Sequence, residues 1–237
     1  LSNEKQIGGT LSELTYQFHN ELSEKVWKNG KIKEDVKTKL LDISYLWMSE
    51  AELPENVIKD IVITGSHAGY NYTPYSDIDI HIIIDKRKLG CENLIDDFLF
   101  DKKKIFGEKH NITINDTDVE VYAQDMHEEY PKNEAVYSIL NNKWIVKPSK
   151  EKKELTDPKL VKKARFYKRL VKRLMKEGNV KKMIKFKEKL RKMRQAGLNR
   201  EGEFSTENIV YKELRNRNLL KNLDTRLNYL IDKRFSI

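Results

Sequence analysis

Apolar residues first recur at helical spacing. Leu11, Leu14, Phe18, Leu22 and Val26 stand three or four apart, which predicts a helix with one buried face. Thr10-Leu11-Ser12-Glu13 fits a capping box, in which hydroxyl and carboxylate satisfy free amides reciprocally, and Asn29-Gly30 supplies a stop. Val36, Leu40, Ile43 and Trp47 predict a second amphipathic helix, closed by Pro54. The period then changes. Asp60-Ile61-Val62-Ile63-Thr64 is a short β-branched run ending at Gly65-Ser66, and Asp77 to Asp85 (DIDIHIIID) is a second strand, alternating at first and then continuously apolar. Leu94, Ile95, Phe98, Leu99 and Phe106 mark a helix. Ile112-Thr113-Ile114 and Val119-Glu120-Val121-Tyr122 flank the turn residues Asn115-Asp116, and Trp144-Ile145-Val146 adds one more short strand. Strands interrupted by a single helix give an α/β (α+β) fold with a mixed sheet.

Beyond Pro148 the pattern is helical again. Asp157 caps a helix with Pro158 at its first position. Leu160, Ala164, Tyr167, Val171 and Leu174 form its stripe, and Gly178 ends it. Val180 to Ala196 predicts a partner helix stopped by Gly197. A loop (LNREGEF) leads to Ser205 as the next cap, and Ile209 to Leu219 begins a final helical stretch. Three segments follow: a helical pair over 1–56, packing on a mixed-sheet core over 57–149, and a helical region over 150–237.

Charge sharpens this division. Residues 1–149 carry 18 basic and 26 acidic side chains, net −8, whereas residues 150–237 carry 28 and 11, net +17. The back of the chain is therefore the part suited to a polyanion. Phe166, Tyr167 and Phe186 lie among its cations, but nothing there reads bases, so contact would be phosphate-dominated and salt-sensitive. No stretch approaches the roughly 20 apolar residues of a membrane helix. The first twenty residues hold Glu4, Lys5 and Glu13 and lack an apolar run, so no secretory signal is expected there. Cys91 is the only cysteine of 237 residues, which excludes an internal disulfide or a thiolate cluster and suits a reducing cytoplasm.

The chemistry concentrates at Gly65-Ser66 and, after ten intervening residues, at Asp77-Ile78-Asp79. Alternation puts Asp77 and Asp79 on one face of a strand while Ile78 and Ile80 enter the core. Two carboxylates so placed repel each other. A divalent cation reverses that cost, since Mg²⁺ takes oxygen ligands from one or two carboxylates and from substrate phosphates. Gly65 lets backbone approach a ligand, and the Ser66 hydroxyl and local amides can hold phosphate oxygens. Glu120 is the candidate third acid, because Val119 and Val121 point to the core and Glu120 points the other way. Asp118 shares its parity and is the alternative.

These residues resemble the nucleotidyltransferase superfamily that includes DNA polymerase beta, poly(A) polymerases and CCA-adding enzymes. Its signature is a strand ending in Gly-Ser, a spacer, Ser-Asp-x-Asp on the next strand and a third acid on a later one. Gly65-Ser66, Ser76-Asp77-Ile78-Asp79 and Glu120 supply those pieces in order. The stretch TGSHAGYNYTPYSDIDIHIIID, with NDTDVEVYAQD downstream, is most similar to predicted nucleotidyltransferases of bacteria and their phages. The resemblance implies two-metal transfer of a nucleoside monophosphate from an NTP, ATP among the candidates, to a hydroxyl. Two Mg²⁺ or Mn²⁺ ions would be held by Asp77, Asp79 and Glu120, with pyrophosphate leaving. The basic region favours the 3′ end of an RNA, tRNA-like, as acceptor. Two other acceptor classes fit the same core: a protein or small molecule, as in antitoxin-type enzymes, and an oligonucleotide second messenger.

Other residues read as structural. His81 shares the parity of the aspartates but lies further along the strand, where a hydrogen-bonded histidine is expected. Tyr70, Tyr72 and Tyr75 border the spacer and could stack on a base or pack the turn. Ser138 and Lys143 could touch phosphate but read as ordinary polar residues near a strand, Asp85 as the end of its strand, and Cys91 as a helix-start or core residue.

Overall fold

The computed structural model describes residues 14–90 and 94–236. The capping box at Thr10 to Glu13, Leu11 of the first stripe, and Cys91 lie outside the described residues. The chain divides into two compact units. One comprises residues 17–152 with Glu201–Glu203, and the other comprises residues 14–16, 153–200 and 204–236.

The helix expected over Leu14 to Val26 is absent; residues 14–26 run as bends, turns and irregular chain. Their amides find tertiary partners instead. The Thr15 N–H donates to Glu213 Oε2 at 2.7 Å, and the His19 N–H donates to the Tyr70 carbonyl at 2.7 Å. Asn29 (φ 52°) and Gly30 (φ 74°) form the turn of a hairpin, not a helix stop, joining β1 (Trp27–Lys28) to β2 (Lys31–Ile32). Two successive left-handed residues are what a two-residue hairpin loop requires.

The second helix is present as α1 (Glu34–Glu50), with Val36, Leu40, Ile43 and Trp47 buried. There follow β3 (Ile58–Thr64), a four-residue turn of helix α2 (Gly65–Ala68), β4 (Ile78–Ile84), α3 (Ile95–Lys109), β5 (Thr113–Ile114), β6 (Thr117–Asp125), β7 (Val136–Ser138) and β8 (Lys143–Val146). The six strands β3 to β8 make one mixed sheet, ordered β5-β6-β4-β3-β7-β8. Only β4 and β6, linked through α3, pair in parallel; the other pairs are antiparallel. Asn115 (φ 49°) and Asp116 (φ 56°) make the tight β5–β6 turn.

The strand pattern explains the sheet's two faces. Ile61 and Ile63, the four even-numbered isoleucines Ile78, Ile80, Ile82 and Ile84, and Val121 with Ala123 join Trp47, Leu99 and Phe106 in one core. The alternate positions carry Thr64, Asp79, His81, Glu120 and Gln124, with a small apolar cluster of Val62, Ile83 and Val136. One face is thus closed by packing, and the polar set lies on the opposite parity.

In the second unit, α4 (Pro158–Glu177) starts where Asp157 accepts from the Lys159 N–H and ends at Gly178 in the left-handed conformation (φ 65°). Its five stripe residues are all buried. Helix α5 (Val180–Glu201) runs through Gly197. Gly197 is buried, and a Cβ there would lie 2.6 Å from Glu207 Cβ and 2.8 Å from Ser205 Oγ; the glycine serves close packing, not termination. Ser205 caps α6 (Thr206–Asn216) by accepting from the Asn208 N–H. Asn218 (φ 56°) separates it from α7 (Leu219–Phe235). Fully buried Glu213 of α6 accepts from Thr15, Lys168 and Arg217. Burial alone would raise its pKa, but hydrogen bonds from Thr15 and Arg217 outweigh it and hold the carboxyl low.

Candidate active site

Register brings the acids together. The β3–β4 ladder pairs Thr64 with Asp79, and the parallel β4–β6 ladder pairs Asp79 with Glu120. Asp77 sits one residue ahead of β4, on the parity of Asp79. Each of Asp77, Asp79 and Glu120 offers a carboxylate oxygen, and these oxygens lie within 4.8 Å of one another. Asp77 and Asp79 are half-buried and Glu120 is exposed. Asp118 lies outside the cluster, opposite Thr113 on the β5 side.

Gly65 fixes the position of Asp79. Its φ is +70°, and a Cβ built on it would fall 2.1 Å from Asp79 Oδ2. Only hydrogen fits, so the Asp79 carboxylate rests against the Gly65 backbone. Ser66 is buried, and its hydroxyl donates to Ser76 Oγ at 2.9 Å. Ser76 Oγ also accepts from the Thr73 N–H at 2.9 Å. This network ties α2 to the end of the spacer, immediately before Asp77. The serine of Ser-Asp-x-Asp thus positions the strand entry, a role its place in the motif marked without explaining.

His67, next to Ser66, is buried; its Nε2 lies 3.3 Å from the Ser76 carbonyl, and its Nδ1 has no hydrogen-bond partner among the described residues. Desolvation lowers its pKa to about 4, so it is neutral at pH 7. Its backbone carbonyl accepts from Trp27 Nε1 at 2.7 Å. Tyr72 stacks on His19 with centroids 3.8 Å apart and lies 5.7 Å from the His67 ring. Of the three spacer tyrosines, Tyr72 packs the turn, Tyr75 is exposed, and Tyr70 lies under Lys150 Nζ at 5.6 Å.

Lys103 of α3 is the residue that sequence reading missed. Its ammonium donates to Glu120 Oε2 at 2.9 Å and lies 5.6 Å from the Tyr122 ring. Seventeen positions separate Lys103 from Glu120 across a helix and a hairpin, and no local pattern announces the contact. His81 Nδ1 donates to Gln124 Oε1 at 2.7 Å, and burial lowers its pKa; it is the hydrogen-bonded strand histidine its position indicated. Ser138 donates to Asp60 Oδ1 at 2.8 Å.

The donor set suits a divalent cation. Three carboxylates at this separation repel one another when ionised, and Lys103 pairs with Glu120. All-oxygen donors with no histidine or thiolate among them fit magnesium or manganese better than zinc.

The strand pair thus carries Asp-x-Asp behind a Gly-Ser turn, with a third acid on the parallel neighbour, the pieces whose order in the sequence resembles the nucleotidyltransferase superfamily. The chain belongs to the nucleotidyltransferase domain family, whose model matches residues 48–196, well over half of its length. The match covers the acid cluster and continues through α4 into α5. No curated protein matches the chain significantly. Among solved structures, the chain is similar to the CdnE cyclic dinucleotide synthase of Elizabethkingia meningoseptica, solved with GTP and Apcpp, at 16% identity and a TM-score of 0.26, covering 82% of this chain and 76% of that one. It is also similar to the STING-associated CdnE c-di-GMP synthase of Capnocytophaga granulosa, at 15% identity and a TM-score of 0.24, covering 85% of this chain and 67% of that one. At those scores neither structure carries an argument about this site. Among the described residues no helix is long and apolar enough to cross a membrane.

Proposed function

We propose that the protein transfers a nucleoside monophosphate from an NTP to a hydroxyl, releasing pyrophosphate, and that the acceptor is the 3′ end of an RNA of tRNA-like kind in the cytoplasm. The observation that carries the proposal is the convergence of Asp77, Asp79 and Glu120 within 4.8 Å beside a glycine that admits no side chain. Asp77 and Asp79 would hold two magnesium or manganese ions, with Glu120 completing one of them. When bound, such ions neutralise the triphosphate and lower the pKa of the attacking hydroxyl.

The chain's own residues do the positioning. Gly65 sets the Asp79 carboxylate, and the Ser66–Ser76 hydrogen bond holds the approach to Asp77. Because the Ser66 hydroxyl already donates to Ser76, Gly65-Ser66 would meet nucleotide phosphates through its backbone. Catalysis on this account is placement and charge stabilisation, with no covalent protein intermediate. The RNA acceptor is supported by the +17 carried by residues 150–237.

The test is a labelling screen with all four α-labelled NTPs, under Mg²⁺ and Mn²⁺, against total RNA and then cell protein. The proposal expects label in RNase-sensitive, protease-resistant material. Label that survives RNase and is lost to protease would move the acceptor to protein. A small labelled product formed from NTPs alone would indicate an oligonucleotide messenger.

A further inference from the structure

We propose that the outward face of α4 is a docking strip for the phosphate backbone of a single-stranded nucleic acid, and so the place where the acceptor proposed above is held.

Helix α4 sorts its residues sharply. At about 100° per residue, Lys162, Arg165, Arg169, Lys172, Arg173 and Lys176 fall with Phe166 inside an arc of about 120°. All seven are exposed, Phe166 by 52%. The opposite arc holds Leu160, Ala164, Tyr167, Val171 and Leu174, all buried. No acidic residue occurs between Asp157 and Glu177.

The flanking cations are committed elsewhere. Lys163 pairs with Glu207, and Lys168 pairs with Glu213 at 3.2 Å. Within the strip, Arg173 lies 3.8 Å from Glu177 at the end of the same helix. By contrast Lys162, Arg169, Lys172 and Lys176 form no ion pair among the described residues. The acids of α6 thus face the flank of α4, and these four cations of the outward strip have no carboxylate partner among the described residues.

The dimensions fit a nucleic-acid strand. From Lys162 to Lys176 the helix rises about 21 Å at 1.5 Å per residue. One strand of a stacked nucleic acid advances about 3.4 Å per phosphate, as it does in a duplex, so the strip spans about six phosphates of one strand. Phe166, within the cations, offers a ring on which a base can stack without sequence preference. An anionic membrane fits poorly, because the apolar face that would enter it is already buried within the fold.

The test uses the full chain and fluorescence anisotropy, with 20-nucleotide RNA and DNA single strands, a duplex, and anionic phosphatidylserine vesicles, between 50 and 300 mM salt and without NTP. One variant carries Lys162→Gln, Arg169→Gln, Lys172→Gln and Lys176→Gln. A control removes the same charge from α5 (Lys181→Gln, Lys185→Gln, Lys189→Gln, Lys192→Gln). All eight positions are exposed, and circular dichroism verifies each fold.

The α4 variant should weaken single-strand binding at least about 30-fold at 100 mM salt. It should also flatten the slope of log K against log salt by about 3, at about 0.7 for each phosphate no longer neutralised. The α5 control should change the slope by less than about 1. RNA binding more tightly than DNA supports an RNA acceptor; equal binding leaves the strip's ligand as single-stranded nucleic acid of either sugar. Equal losses in the two variants, unchanged binding in the α4 variant, or tighter binding of duplex or vesicles would overturn the strip. Binding is also read in Asp79→Ala: retention there, in a protein that transfers no nucleotide, separates failure of the strip from failure of the transferase reading.

Discussion

At the scale of single residues, Gly65 and Asp79 form one device. The glycine's positive φ and the 2.1 Å that would separate a Cβ from Asp79 Oδ2 mean that Gly65→Ala must displace the carboxylate. A shift of about an ångström at a reacting centre costs about 100-fold, so nucleotidyl transfer by Gly65→Ala should fall by at least that factor while the far-ultraviolet spectrum is kept; near-normal transfer would show that Asp79 tolerates the shift. Lys103 bears on the same cluster from α3. With its ammonium 2.9 Å from Glu120 and its side chain 36% exposed, it competes with any cation drawn there. Lys103→Met should raise Mn²⁺ affinity, read by calorimetry without nucleotide, by about threefold to tenfold; weaker binding would instead make Lys103 the group that holds Glu120 in place. His67 contributes through burial. Its folded pKa of about 4 lies below the ordinary 6.5, so between those values the unfolded chain binds the extra proton. Stability from His67 is therefore complete above pH 6.5 and lost as pH falls towards 4, by about 3 kcal/mol in all. Urea titrations of His67→Gln should show a shallower acid loss than the parent chain; an identical loss would assign the acid sensitivity to carboxylates.

At the scale of elements, legibility followed periodicity. The alternation of DIDIHIIID gave β4, and its even-numbered isoleucines do fill the core. Asp157, Gly178 and Ser205 marked helix ends because capping chemistry is local. The stripe from Leu14 to Val26 misled because tertiary hydrogen bonds from Thr15 and His19 outweigh helical spacing, and Asn29-Gly30 is as good a hairpin turn as a helix stop. β7 was missed because three buried residues show no alternation. Gly197 misled for a different reason: its smallness answers to Glu207 and Ser205, which no pattern within α5 reveals. Intrinsic propensity would have Gly197→Ala stabilise a helix by about 1 kcal/mol. The 2.6 Å approach to Glu207 Cβ should reverse that sign, for a net loss of about 1–2 kcal/mol in urea unfolding; a stabilised variant would show that α6 yields at little cost.

At the scale of the whole molecule, the charge asymmetry has structural content. The acid cluster lies in the unit built from residues 17–152, and the cationic face of α4 lies in the other. Strand parity singled out the aspartate pair and Glu120, with Asp118 as the alternative on the same face, and the fold brings the first three within 4.8 Å of one another. The parallel register sets Glu120 beside Asp79 and leaves Asp118 opposite Thr113, and the contact of Lys103 with Glu120 emerged only from the fold. The central claim is that Asp77 and Asp79 carry nucleotidyl transfer, and the most direct measurement is label transfer from α-labelled NTP by Asp77→Ala, Asp79→Ala and the double variant, each shown to be folded by its melting profile. Transfer should be lost in all three, with the parent chain active only when a divalent cation is supplied. Full transfer by a folded double variant would contradict it.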